Sequence, residues 1–291
     1  MKNDTLSPLL LSTSVGPFAG LGSVASATPL AIYNPNNTAM LIDQIRFSFP
    51  NTNNQSMSPQ FMAALGIELL LGSIPITNRH VTLGALAPLY NGFLTSGFVP
   101  DAQASADNIA VWHLPKPLYV PPLVQLAANY VSRYSSIPAV RMSVVGRSLP
   151  SNFKVPNEIE IPWVTETRCD EDTNLFVSRD SDLVNSNNVP LDIVQFVGCN
   201  LNLVTALPTP VDMTVQMSLS NGTMLIRDPI PFFLAFPSDR GSLPVSARLQ
   251  PGEFVRAELE NPSTDGDYDS CAITAIAMHG YRKIQTPGTL G

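Results

Sequence analysis

The sequence predicts an all-β chain made of two tandem sandwich-like domains, and three observations carry that expectation. The first is an internal echo. Setting Gly72 against Gly222 also brings Ile76 onto Ile226, Thr77 onto Arg227, Asn78 onto Asp228, Leu83 onto Phe233 and Ala85 onto Ala235. Downstream, LYVPPLVQLA (residues 118–127) resembles LQPGEFVRAE (249–258). AVRMSVVGRSL (139–149) likewise resembles ITAIAMHGYRK (273–283), with Gly146 against Gly280. A period near half the chain describes two copies of one fold, since solenoid units run about 20–50 residues. The second observation is composition: 27 prolines in 291 residues, nearly twice the usual share of about 5%, beside 44% hydrophobic and only 13% charged residues. The third is a succession of short alternating segments broken by turn formers roughly every ten residues, the pattern of a β-sandwich or jelly roll.

The elements follow in order. Residues 1–30 are expected to be an amino-terminal arm. Lys2, the run Leu9-Leu10-Leu11 and the triplet Ala25-Ser26-Ala27 imitate a secretory signal, but Asp4, Pro8 and Gly16-Pro17 interrupt it. A retained arm running over its own domain or a neighbour is the expectation. No stretch approaches the roughly 20 uninterrupted apolar residues of a helical membrane span.

The first domain is expected over residues 31–150. MLIDQIRFSFP (40–50) places Ile42, Ile45, Phe47 and Phe49 in near-alternation, a strand. NTNNQSMSPQF is a polar loop. MAALGIELLLGSIPI (62–76) could form a short helix, but Gly66, Gly72 and its match to the second copy favour strands. Residues 90–108 read as an insertion loop. WHLPKPLYVPPLVQLAANYV sets apolar positions around four prolines, which excludes a helix and confines any strand to an edge or a kink. RMSVVGRSL closes the domain.

PSNFKVP (150–156) reads as a short linker, and the second domain is expected over residues 157–291. It opens with EIEIPWVTET (158–167), an alternating, half-buried strand. The polar stretch from Cys169 to Asn188 is expected as loop or a short turn of helix. VPLDIVQFVGCNLNLVTALP (189–208), the central hairpin (215–237), RGSLPVSARLQPGEFVRAELENP and CAITAIAMHGYRKI supply the remaining strands.

Little chemistry is legible. The net charge of −7, with no Lys/Arg run longer than two, argues against nucleic acid as a direct partner. His80, His113 and His279 fall in different elements, and none has a carboxylate or Cys at metal or triad spacing. Cys169, Cys199 and Cys271 are odd in number and far apart, which fits buried free thiols. Asp265, Asp267 and Asp269, at every second position around Gly266, form a weak calcium candidate; they lack the distal Glu of an EF-hand loop, so a solvated acidic loop is the plainer reading. Asp170-Glu171-Asp172 reads as a solvated turn. Trp112, Trp163, Tyr33, Tyr90, Tyr119 and Tyr130 could stack on sugars, although aromatics on alternating strands belong more often to the core. No catalytic fingerprint is present, so no enzyme, catalytic residue or cofactor is expected.

Taken together, the segment pairs 72–87 with 222–237 and 139–149 with 273–283, set in two tandem β-domains, resemble the double jelly-roll major capsid proteins of tailless icosahedral, membrane-containing bacteriophages. The resemblance implies two tandem jelly rolls whose strands stand across the shell, and a homotrimer of pseudo-hexagonal outline. It implies copies of the chain and other capsid proteins as partners, an internal lipid membrane as a further one, synthesis in the host cytoplasm and residence in the virion capsid. Larger members carry long tower insertions; here only residues 90–108 and 167–188 are sizeable loops. Low surface charge suits faces covered by neighbouring subunits. The alternative is a receptor-binding spike or lectin-like β-sandwich, which should present an aromatic or acidic ligand site on its loops.

Overall fold

The computed structural model describes residues 7–15, 30–32, 38–48, 65–87, 110–132, 140–169, 179–202, 214–236, 242–260 and 272–286. The first half contains β1 (Ser7–Val15), β2 (Leu30–Ile32), β3 (Met40–Ser48), β4 (Leu65–Leu71), β5 (Ile74–Pro75), β6 (Val81–Thr82), the single turn α1 (Leu83–Leu86), β7 (Ala110–Val120), β8 (Leu126–Ser132) and β9 (Val140–Ser148). The second contains β10 (Glu158–Cys169), β11 (Arg179–Val184), β12 (Leu191–Asn202), β13 (Thr214–Leu219), β14 (Met224–Pro231), the single turn α2 (Phe232–Ala235), β15 (Ser242–Leu249), β16 (Phe254–Glu260) and β17 (Ala272–Gln285).

The two halves share one topology. In the first, a sheet ordered β1-β9-β3-β7 lies with a sheet ordered β2-β8-β4-β5, where β6 also pairs β4. In the second, the orders are β10-β17-β12-β15 and β11-β16-β13-β14. Matching β1 with β10 and proceeding along the chain converts one set into the other, with β14 taking the place of β5 and β6. All strand pairs in the four sheets are antiparallel. The chain is a double jelly roll.

Sequence detail explains the local geometry. The two-residue connection between β4 and β5 and the four-residue connection between β13 and β14 place Gly72 at φ +59° and Gly222 at φ +82°, where a side chain is disfavoured. The three-residue step from Ile42 to Ile45 marks a bulge: the pairing of β3 with both β7 and β9 shifts between Ile42 and Gln44. β12 shifts at the matching place, between Ile193 and Gln195. The proline-rich β7 sits at a sheet edge, and its pairing with β3 lapses from Leu114 to Pro117.

Three expectations need correction or refinement. The polar stretch before Asn188 contains a strand, β11, because Leu183 reaches the core while Asp182 pairs with Arg256 of β16 at 3.0 Å. β10 is buried on both faces from Ile161 to Thr165, not half-buried, because the first domain covers its outer side. The strand favoured over a helix in residues 62–76 is present as β4 from Leu65. Within the stretch set apart as an arm, residues 7–15 pair along β9 as an edge strand of the first sheet.

Each jelly roll has its own apolar interior. Ile42, Ile45, Phe47, Ile67, Leu69 and Tyr130 fill the first, and Phe196, Val215, Met217, Ile276 and Met278 the second. The first cluster extends across the domain boundary to Ile159, Ile161, Val164, Ala275 and Ala277.

Candidate assembly site at the seam between the jelly rolls

The alternation Glu158, Ile159, Glu160, Ile161 gives way to the unbroken apolar run Ile161-Pro162-Trp163-Val164, the pattern of a strand covered on both faces. The excursion between β5 and β6 supplies that cover. Val164 N–H donates to the Ile76 carbonyl at 2.9 Å, and Asn78 N–H donates to the Val164 carbonyl at 2.7 Å. Asn78 Nδ2 donates to Thr165 Oγ1 at 3.3 Å. Glu166 then accepts from the Thr82 N–H at 2.7 Å and from Thr82 Oγ1 at 3.1 Å. Backbone and carboxylate together fix the first domain against β10.

One strand over, the outward side chains of β17 continue the contact. His279 is buried, and its Nε2–H donates to the Ala85 carbonyl of α1 at 2.9 Å. The Trp112 ring meets the imidazole edge-on, at 5.7 Å and 78°. Burial lowers the His279 pKa to about 4, with the hydrogen bond to Ala85 acting in the opposite sense. Tyr281 Oη accepts from the Lys116 N–H at 3.1 Å and donates to the Lys116 carbonyl at 3.2 Å; burial raises its phenol to about 12. The Lys116 ammonium pairs with Glu160 at 2.8 Å, half-exposed, so that pair contributes little. Arg282 donates to Asn187 Oδ1 and to the Pro75 carbonyl.

His279 makes the seam sensitive to acid. Its folded pKa lies below the unfolded value of 6.5, so the unfolded chain binds the extra proton. The stabilisation is complete above about pH 6.5 and is lost as the pH falls toward 4. We expect the wild type to lose about 2–3 kcal/mol more than His279→Gln between pH 7 and pH 4.5, by urea unfolding. Equal losses in the two proteins would remove His279 as the sensor.

Of the histidines singled out from sequence, His279 is buried in the seam, His80 is half-buried in the excursion that covers β10, and His113 is exposed. Trp112, Trp163, Tyr119 and Tyr130 are buried rather than arrayed on a loop surface. The Cys199 thiol is raised to about 12 by burial first and by Glu166 second, which leaves it unreactive. Asp265, Asp267, Asp269, Asp170-Glu171-Asp172, Tyr33, Tyr90 and the loop 90–108 lie outside the described residues. Among the described residues, no group of three His, Cys, Asp or Glu could hold a metal ion. No described helix is long and apolar enough to cross a membrane. Thr82, Glu166, Tyr281 and Arg282 were not foreseen; the apolar run at Pro162 to Val164 is the sequence signal that could have led to them.

The site is thus a buried contact between the two halves of the chain, with no paired acids or activated nucleophile among its described residues, and the architecture it completes is that of tandem jelly rolls packed against each other. No protein-family model matches the chain, and no curated protein matches it in sequence. Solved structures do. The fold matches a chain in an atomic structure of Sulfolobus Turreted Icosahedral Virus with a TM-score of 0.51 and 12% identity, over 97% of this chain and 91% of that one. The major capsid protein P2 of bacteriophage PM2 gives a TM-score of 0.48 and 9% identity, over 96% of this chain and 100% of that one. The Faustovirus major capsid protein gives 0.44 and 6%, over 98% and 92%.

Proposed function

We propose that the chain is a structural virion protein, a major capsid protein that self-assembles as pseudo-hexagonal homotrimers into an icosahedral shell. The observation that carries this reading is the duplicated jelly roll packed side by side: backbone bonds and a shared apolar cluster join two domains of one topology. The fold likeness to a chain from an icosahedral virus supports it, and so does the low charge of 13%, which suits surfaces covered by neighbours. Other capsid proteins and an internal lipid membrane are the further partners, the virion capsid is the location and the host cytoplasm the place of synthesis. The domains are read as residues 31–150 and 157–291, with residues 7–15 adding an edge strand to the first.

Size exclusion with light scattering, followed by negative-stain imaging at raised concentration, tests the reading. The expected species is a trimer of about 94 kDa, three times the 31.4 kDa chain, that forms shells or hexagonal sheets. A stable monomer that never assembles but binds glycans would replace this reading with that of a spike or lectin-like protein.

A further inference from the structure

Two ring nitrogens in the seam are buried without a use. His279 Nε2–H donates to the Ala85 carbonyl, so in the neutral imidazole Nδ1 is an acceptor. That atom is buried and has no hydrogen-bond partner. The Trp112 indole stands edge-on to the same ring, and its Nε1–H is likewise buried and unpartnered. His279 is 3% exposed and Trp112 2%, one on each jelly roll. The seam therefore closes over an aromatic pair that tolerates a neutral histidine and makes no provision for a charged one.

Protonation turns Nδ1 from an acceptor into a charged donor beside an indole that can only donate. A buried charge with no partner costs far more than a buried lone pair. The elements packed around the ring leave Nδ1 unbonded. α1 brings Leu83, Gly84, Ala85 and Leu86, all buried and none ionisable. β10 sets Val164 opposite His279, and β12 sets the half-exposed Gln195 there. Ionisable groups lie to either side. Toward one end are Glu166 of β10, bonded to Thr82, and Cys199 of β12. Toward the other are Tyr281, Lys116 with Glu160, and Asp192 with Arg248. Burial keeps the Cys199 thiol and the Tyr281 phenol neutral, both at about 12. His113, next to Trp112, is exposed.

We propose that Trp112 and His279 form an acid-operated latch: when His279 takes up a proton, α1 and the Trp112 stretch of β7 part from β17, and the seam opens while both jelly rolls stay folded. Strand alternation sets where the opening falls. Ile276 and Met278 of β17 belong to the second core, under Phe196, Val215 and Met217, whereas His279 is on the other face, against the first jelly roll. Water reaches Nδ1 once that contact parts, and neither core has to come apart. The open seam bares Val164, Ala275 and Ala277, which the closed one covers. Return to neutral pH removes the proton and closes it again. The latch needs only the contact between the two halves of one chain, so it operates whether or not the chain assembles.

The test is residue-resolved amide hydrogen exchange of the full chain at pH 7 and pH 4.5, each rate divided by that of an unstructured amide at the same pH. Thr82 N–H crosses the seam to Glu166 on one side of His279, and Lys116 N–H crosses to Tyr281 on the other. A histidine that titrates at about 4 in the closed seam and at 6.5 in the open one favours opening about 50-fold more at pH 4.5 than at pH 7. Both amides are expected to lose protection by about that factor, while amides of β3, β13 and β16 keep theirs. His279→Gln is expected to abolish the response, and Trp112→Phe, which keeps a ring but drops the facing N–H, to reduce it. Unchanged protection of Thr82 and Lys116 in the wild type overturns the latch. So does a loss shared by all amides, which is global unfolding. A full response in His279→Gln assigns the opening to another acid group, and a full response in Trp112→Phe overturns the pairing of the two rings.

Discussion

Gly146→Ala is expected to lower the melting temperature by about 10 °C, because the added methyl has nowhere to go. A Cβ at this position would lie 2.0 Å from the Leu41 carbonyl oxygen and 2.9 Å from Ile42 Cα. These are backbone atoms of β3 at its bulge, so no side chain can swing aside. Relief requires β9 to part from β3, which loosens Ile42, Ile45 and Phe47 in the first core. Overpacking costs about 1–3 kcal/mol and occasionally more, and contact with backbone places this case near 3. At roughly 2–4 °C per kcal/mol for a chain of this class, the shift follows. Gly280→Ala meets the Asp192 carbonyl at 2.9 Å and otherwise the movable Leu191 side chain, so a smaller loss is expected. Gly222→Ala meets nothing within 4 Å and bears only its φ of +82°, about 1–2 kcal/mol. Thermal melts of the three variants should rank in that order. A Gly146→Ala protein melting with the wild type would refute the clash.

The same glycine illustrates how much of the fold could be read in advance. The pairing of Gly146 with Gly280 is visible in the sequence and marks one spot in both jelly rolls, because a bulge on the neighbouring strand forbids a side chain there. The bulge itself shows as the irregular spacing of Ile42 and Ile45. β11 was harder to see: its apolar residues are few, and a strand whose outer face is solvated by Asp182 and Arg256 resembles a polar loop. The two single-turn helices have no side-chain cap and no acidic or basic residue at their ends, so nothing local announces them.

The echo also slipped by one residue. Sequence matching set Leu83 against Phe233, whereas the helical turns match Leu83 with Phe232. The first half has one residue more between its turn glycine and its helix, with Arg79 at φ +61°. That irregular backbone separates β5 from β6 and carries Thr77 and Asn78 to Val164, while the second half runs through as continuous β14. The seam therefore arises from a difference between the copies, which a search for similarity passes over. Hydrophobic alternation shows that a face is buried but not which partner buries it.

Arg282→Ala is expected to cost about 3 kcal/mol, the largest effect of any polar substitution at the seam. The guanidinium stacks over the Trp163 ring, 4.6 Å from its centroid, and donates to the Pro75 carbonyl of the first domain and to Asn187 Oδ1 of the second. Asn187 is itself anchored, donating from N and Nδ2 to Asn185 Oδ1. Asn185 Nδ2 in turn donates to the carbonyls of Val189 and Leu249. Removing the arginine leaves buried acceptors without a donor, about 1–3 kcal/mol, and forfeits a cation–π contact of about 1–2 kcal/mol. Burial lowers its pKa to about 10, so it remains charged at neutral pH and the loss should be flat from pH 6 to pH 8. Arg282→Lys separates charge from shape: a single ammonium cannot span both acceptors while lying flat on the indole, and less than half of the lost stability should return. Urea unfolding measures all three proteins. Full stability in the lysine variant would mean that charge alone suffices, and that the forked, planar contact between the two jelly rolls is not what holds them.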